Sequence, residues 1–374
     1  MRVKIEFEDS RIGVLSYNNI SNMTFICSIF KVFSMAHLIV SDFAKASFNM
    51  IKSGMPVNIV FVDDNGKEYI NRMKVLSFSK APDSRASFRD PVDMTLISSM
   101  YFDTSSGTFV HEGSIGTIFD NIMSRFFKGS VESYKGTVTN DLPARRYQTS
   151  ERTLDFMKRI LKYGMKDDFP VYLFHDDRGV LRLRGIKEMS MESPKFTAVP
   201  HMGAMPPETK SSSVTEPTVT MWDFVSQFDG RTACSEIETK LTSANFRFQK
   251  MVQSKYNFKS VENTTNQVQS KVPKKTRFMG WNLTPTDASA IAAKESFEDT
   301  CKTCSFKALF KGLDVENLNL GDTVNVKLPY DKSSRNSLGQ AANLSEGRYL
   351  ITDLEFTLNE SVVQTMATMI QVAC

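Results

Sequence analysis

Cys301-Lys302-Thr303-Cys304 is the single CxxC of the chain, and its two thiols have the spacing of a metal or redox pair. A zinc site needs four ligands, usually two such pairs or one pair with histidines. The four histidines, His37, His111, His175 and His201, all lie far upstream and none is paired with another. A redox CxxC wants a strand before it and a helix after it; the pattern here is helix first and strand second. The pair therefore reads as packing. His175-Asp176-Asp177 offers three metal-type ligands, but Asp-Asp-Arg-Gly is ordinary turn chemistry between two apolar runs. Phosphate cradles of the GxGxxG or GxxxxGK[ST] type are absent, as are GxSxG, HExxH and the kinase signatures. Twenty methionines and 28 phenylalanines fall at strand and helix periods, which marks core rather than a binding surface. No residue set argues for catalysis, so no catalytic, cofactor or metal residues are expected. Replacing Cys301 and Cys304 by serine should cost only about 1 kcal/mol per buried thiol and leave assembly intact. Stoichiometric zinc in the purified protein would refute this.

Bulk properties exclude further classes. A chain of 374 residues has room for two or three domains. At 41% hydrophobic and 24% charged residues it can bury a sizeable core, which excludes wholesale disorder. A net charge of +4 is small for this length and gives no warrant for nucleic-acid or membrane affinity. Five cysteines, Cys27, Cys234, Cys301, Cys304 and Cys374, form an odd, scattered set that suits a reducing compartment of synthesis better than a disulfide scaffold. The first residues, Arg2-Val3-Lys4-Ile5-Glu6-Phe7, alternate like a strand and have no signal-peptide core. The most apolar run, Ile20 to Val40, contains Asn22, Lys31 and His37 and has the composition of strands. The chain reads as soluble.

The elements are clearest at the C-terminal end. Thr323-Val324-Asn325-Val326, Gly347 to Leu358 and Val362 to Val372 show the period-2 alternation of half-buried antiparallel strands, bounded by Gly, Asp, Pro and Asn. An earlier stretch repeats the pattern: Gly54-Met55-Pro56, Val57-Asn58-Ile59, a turn at Asp63-Asp64-Asn65-Gly66, then a strand from Lys67 through Tyr69 to Phe78. Aligning Tyr69 with Tyr349 makes residues 54–78 and 320–358 two equivalent hairpins of two small β-barrels. The four-residue turn of the first copy is replaced in the second by a loop from Tyr330 to Glu346. Loops of that length usually carry a role, and its polar residues Tyr330, Asp331, Lys332, Arg335 and Asn336 form a candidate assembly-contact loop.

In chain order, 1–105 reads as the first β-barrel. Residues 106–199 read as an α+β domain: a helix capped by Ser114, a second from Thr149 or Ser150 to Gly164, and a hairpin from Val171 to Leu183. Residues 200–218, with four prolines and Ser211-Ser212-Ser213, read as a linker. The second β-barrel is discontinuous, 219–252 with 302–374, around a polar and helical insertion at 253–301 whose helix starts at Thr284-Pro285. The fold class is mainly β with α+β insertions.

The run from Leu320-Gly321-Asp322 through Gly347-Arg348-Tyr349-Leu350-Ile351 to Val372, with the element order around it, resembles the baseplate hub protein of contractile-tailed bacteriophages, which is related to the hub part of type VI secretion spike proteins. The resemblance covers most of the chain in order and about 70 residues in motif. It implies a homotrimer with two tail-tube-like barrels per chain, hence a pseudo-sixfold ring joining a sixfold tail tube to a threefold central spike. It implies further partners in the spike protein, the tube protein and other baseplate or tape-measure proteins, and a place in the virion after synthesis in the host cytoplasm. With no β-helical repeat after Val372, the spike is expected to be a separate subunit. Two other readings stand beside it: the hub of a related injection machine, and an enzyme with a site between the α+β unit and a barrel. A cleft lined by ionisable groups with shifted pKa values would mark the enzyme.

Overall fold

A computed structural model describes residues 2–16, 19–44, 50–63, 65–80, 89–127, 131–200, 218–224, 236–245, 250–259, 275–281, single positions within 287–301, and 305–311, 318–326, 347–359 and 362–372. The chain begins with seven strands, β1 (Arg2–Phe7), β2 (Val14–Ser16), β3 (Ile20–Ser28), β4 (Met35–Ala44), β5 (Pro56–Val62), β6 (Glu68–Lys80) and β7 (Arg89–Ser98). Their order in space is β2-β1-β5-β6-β7-β4-β3. Alternation drives the assembly: Val3, Ile5 and Phe7 of β1 and Val57, Ile59 and Phe61 of β5 turn inward and are buried. The β5–β6 turn closes as its residue types demand. Asp63 Oδ1 accepts from the main-chain N–H of Asn65 at 2.9 Å and of Lys67 at 2.8 Å, and Gly66 takes a left-handed φ of 83°.

The middle of the chain packs around a core of its own. It contains β8 (Phe109–Gly113), β9 (Ser133–Lys135), β10 (Ala144–Gln148), β11 (Met165–Lys166), β12 (Phe169–His175) and β13 (Val180–Gly185). Three helices accompany them, α1 (Ile115–Phe126), α2 (Thr153–Leu161) and α3 (Ile186–Met191). Ile118, Phe119 and Ile122 of α1 meet Phe156, Met157 and Ile160 of α2 over Leu173 and Leu183 of the β12–β13 hairpin. Ser114 caps α1 as expected, its Oγ accepting from Thr117 N. The other exposed N–H groups of that first turn go to Asp141 Oδ2 at 3.0 Å and Thr139 Oγ1 at 2.8 Å. The second helix starts at Thr153 rather than Thr149 or Ser150, because Ser150 sits at φ 56°, outside helical space.

The remaining strands are β14 (Thr197–Pro200), β15 (Thr218–Phe224), β16 (Glu236–Asn245), β17 (Lys250–Lys259), β18 (Lys275–Trp281), β19 (Ser305–Lys311), β20 (Thr323–Val326), β21 (Gly347–Asn359) and β22 (Val362–Gln371). Six of them, β14-β20-β21-β22-β19-β15, pair in a closed ring, since β14 also pairs with β15. The first set does not close on itself among the described residues. Instead β3 pairs along β21, from Asp353 opposite Ser28 to Asn359 opposite Asn22, so that thirteen strands form one continuous sheet. Phe25, Phe61 and Phe356 meet at this seam with ring centroids 5.2 to 6.4 Å apart.

The two sets are copies in topology. The order β5-β6-β7-β4-β3 is matched by β20-β21-β22-β19-β15, with every neighbour antiparallel in both. Gly54 N donates to Val75 O at 2.7 Å and Val75 N to Met55 O; Gly321 N donates to Ile351 O at 3.1 Å and Ile351 N to Asp322 O. Both glycines are left-handed, φ 82° and 85°. Asn58 faces Arg72 as Asn325 faces Arg348. A bulge follows at the same place in both copies, between Val75 and Ser77 and between Ile351 and Asp353. A second recurs between Ile20 and Asn22 and between Val219 and Met221.

Four expectations need correction. Tyr69 and Tyr349 are not equivalent; Met73 holds the place of Tyr349, because Met73 faces Val57 as Tyr349 faces Val324. The first strands also differ: β1 is antiparallel to β5, while β14 is parallel to β20. The stretch 197–200, expected as the end of the α+β domain and the first residue of the linker, joins the main sheet as β14. Most of 219–252 is not in the second barrel, for β16 leaves it to pair with β17 and β18 in a separate three-stranded sheet.

Candidate functional site

The tip of the β12–β13 hairpin is where the three parts of the chain meet. His175, Asp176 and Asp177 are 5%, 0% and 0% exposed, a rare fate for a turn of charged residues. The turn itself is conventional. Asp176 Oδ1 accepts from the N–H groups of Arg178 at 3.0 Å and Val180 at 2.8 Å, and its Oδ2 pairs with Arg182 Nε at 2.5 Å. Gly179 closes it at φ 77°.

Burial comes from outside the hairpin. Asn71 of β6 donates from Nδ2 to Asp177 O at 3.0 Å, and Leu320 N, in the turn before β20, donates to Asp177 Oδ1 at 2.9 Å. The His175 ring nitrogen Nδ1 lies 2.9 Å from Val32 O, with Ser98 Oγ at 3.3 Å. Gly179 lies so close to β6 that a Cβ there would stand 2.1 Å from Ile70 O. One turn thus clamps the first strand set through β6, β7 and the β3–β4 loop, and the second through Leu320. The last turn of α3 and the stretch after it complete the fastening. Lys195 N donates to Thr323 O, Asn325 N to Phe196 O, and Arg348 Nη1 to Ser190 O at 3.1 Å.

The electrostatics follow from sealing. Burial, with the neighbouring charge of Asp176, holds the Asp177 carboxyl well above the usual carboxylate range. Burial also raises Asp322 and lowers His175. Asp177 Oδ2, Asn71 Oδ1 and Asn319 Oδ1 are buried without a hydrogen-bond partner among the described residues. A protonated Asp177 carries a donor that the ionised form lacks. His175, Asp177 and Asp322 are all walled off from solvent.

An open groove of about 450 Å³ lies elsewhere, lined by Ile26, Phe30, Cys301, Lys307, Glu355 and Met366 among others. It brings Cys301 near carboxylates and one lysine but no histidine. Among the described residues no group of three or more His, Cys, Asp or Glu side chains can hold a metal ion, and no helix is long and apolar enough to cross a membrane. The sequence reading missed the clamp. His175-Asp176-Asp177 carried the turn signal, but the partners that bury it are far away in sequence. The expected contact loop, Tyr330, Asp331, Lys332, Arg335 and Asn336, lies outside the described residues, as does Cys304.

With this geometry in hand, comparison with solved structures is decisive for the architecture. A tail protein from Neisseria meningitidis superposes over 99% of this chain and 96% of its own, with a TM-score of 0.61 at 10% identity. The fold is shared with phage tail proteins. The 43 kDa tail protein of prophage MuSo2 from Shewanella oneidensis gives a TM-score of 0.59 at 11% identity, over 99% of this chain and 98% of that one. An Escherichia coli component of the type VI secretion system, described as similar to phage T4 tail proteins, gives 0.51 at 10% identity over 99% of this chain and 77% of its own. No model of a known protein family matches the sequence, and no curated protein matches it.

Proposed function

We propose that this chain is a structural component of a phage tail baseplate, a hub of three copies that joins a sixfold tail tube to a threefold spike. The observation that carries this is the repeated five-strand unit within a chain whose whole length follows the fold of tail proteins. Two equivalent units per chain let three chains present six near-equivalent units to a tube while keeping threefold symmetry for a spike. The buried clamp fits a load-bearing part, because it makes the two units and the α+β unit move together. The tube protein, the spike and neighbouring baseplate or tape-measure proteins are its partners, and the virion tail its place, after synthesis in the host cytoplasm. The chemistry is mechanical rather than enzymatic. The likeness to the E. coli type VI component supports a second reading, the hub of a related injection machine.

Native mass spectrometry of the full chain tests the hub directly. Three copies are expected, and a monomer at tens of micromolar would overturn the ring. The loop 330–346 is proposed to contact an adjacent ring. Replacing it by the Asp-Asp-Asn-Gly turn of the first copy should leave the chain folded, since shorter loops close more easily, while incorporation into tails is lost. Normal tail assembly by that variant would reduce the loop to a spacer.

A further inference from the structure

The repeat provides an internal control for the open groove. What the five-strand unit needs recurs in both copies; what stands in one copy alone is free to serve something else. Counted from the shared bulge, Asp353 and Glu355 of β21 hold the places of Ser77 and Ser79 of β6. Thr368 faces Asp353 as Thr95 faces Ser77, and Lys307 faces Thr368 as His37 faces Thr95. Met366 takes the place of Asp93, which in the first copy lies 2.9 Å from His37. The unit therefore folds with serines at both places and with its acid paired to a histidine. In the second copy two carboxylates stand there instead, and both line the groove.

Its chemistry is mixed in a specific way. Ile26 of β3, Phe30 in the turn after β3, and Met366 of β22 give it apolar surface. Ile26 is 39% exposed, although it lies in mid-strand. Glu355 sits between the apolar side chains, opposite Ile26 on one side and Met366 on the other. Three carboxylates, those of Glu298, Asp353 and Glu355, line the groove against one cation, Lys307. The walls are fixed in advance. Phe30 stands edge-on to the Tyr172 ring with centroids 5.5 Å apart, Tyr172 Oη donates to Glu298 Oε1 at 3.4 Å, and Thr352 Oγ1 donates to Asp353 Oδ2 at 2.9 Å. A volume of about 450 Å³ is within the usual range for a binding pocket and has room for a few side chains.

We propose that this groove docks a peptide segment of a partner protein, one that carries an apolar side chain next to a lysine or arginine. The apolar side chain is taken up among Ile26, Phe30 and Met366, and the cation meets Glu355 and Asp353. A basic occupant follows from the acidic excess of the lining, since an acidic one would face like charge. Recognition is by side chains and not by strand addition, because β21 already has β22 and β3 along its two edges here. The groove is complete within one chain, so the proposal stands apart from the number of copies in the hub.

The test uses the full chain and two fluorescent tripeptides, Lys-Phe-Lys and Glu-Phe-Glu, followed by anisotropy. Lys-Phe-Lys should bind saturably below about 1 mM, and more weakly as salt is raised; Glu-Phe-Glu should not bind. Asp353→Ser/Glu355→Ser installs the residues of the first copy. It should fold with an unchanged circular dichroism spectrum and weaken Lys-Phe-Lys binding about tenfold or more, the loss of a charge-assisted contact. Equal binding of the two tripeptides, no saturable binding of Lys-Phe-Lys, or a double variant that binds like the wild type overturns the site and leaves the hub reading untouched. Binding that disappears as the chain self-associates would mean that a second copy fills the groove, which also overturns the partner peptide. If the double variant fails to fold, Glu355→Gln decides alone.

Discussion

Gly179→Ala is expected to be among the most damaging single substitutions in the chain, costing about 3–5 kcal/mol. Two effects add. Alanine at φ 77° pays about 1–2 kcal/mol for a left-handed backbone. Its Cβ would then stand 2.1 Å from Ile70 O and 3.0 Å from the Ile70 carbonyl carbon. That obstacle is main chain near the start of β6, where Ile70 is paired with Val60 of β5, and it cannot rotate away as a side chain can. The hairpin tip must lift instead. Lifting it breaks the Asn71–Asp177 and Leu320–Asp177 hydrogen bonds and leaves buried polar groups unpaired. Gly66→Ala is the matched control: its φ is 83°, yet nothing lies within 4 Å of the added Cβ. It should cost only the backbone share, about 1–2 kcal/mol. Urea denaturation of both variants measures the difference. Equal losses would show that the tip is not tightly seated on β6.

How far the sequence foretells this molecule depends on the range of the force involved. Local signals read true: the Ser114 cap, the Asp63 and Asp176 turns and the alternation of β1, β5 and β21 all depend on residues a few positions apart. The repeat was visible in Gly54 and Gly321 and in Val57-Asn58 and Val324-Asn325, because a left-handed glycine and a fixed first pair recur in both copies. The tyrosines misled by four positions. An even slip keeps every side chain on its own face, so alternation alone cannot reject it; the bulge after Val75 and Ile351 does. β14 was missed as part of the sheet because it is four residues long and its pairing partners lie elsewhere in the chain. The clamp was illegible for a stronger reason. Asp-Asp-Arg-Gly looks the same whether solvent or Asn71 and Leu320 surround it, and those contacts span 106 and 143 positions.

Asp177→Asn should stabilise the protein at neutral pH, by about 1–2 kcal/mol. The wild-type carboxyl binds its proton more tightly when folded than when unfolded, because burial and the charge of Asp176 both oppose ionisation. Folding thus takes up a proton at this site, and its contribution is fully present below the unfolded carboxylate value near pH 4. It is lost as pH rises from there to the raised folded value, at up to about 1.4 kcal/mol per pH unit. Asp322, also raised by burial, adds a slope of the same sign. His175 opposes it: burial lowers its pKa, so its contribution is present above about pH 6.5 and lost as pH falls below that. The asparagine variant isolates one of these three. It keeps an oxygen to accept from Leu320 N and puts a neutral amide donor in place of Asp177 Oδ2, a buried atom with no hydrogen-bond partner among the described residues. Unfolding free energies measured from pH 5 to pH 8 should show the wild type losing ground against Asp177→Asn as pH rises, with the gap smallest at pH 5. A variant less stable than wild type at pH 8, or a gap that does not change with pH, would mean that Asp177 is charged in the folded protein and that the clamp is held by its negative charge.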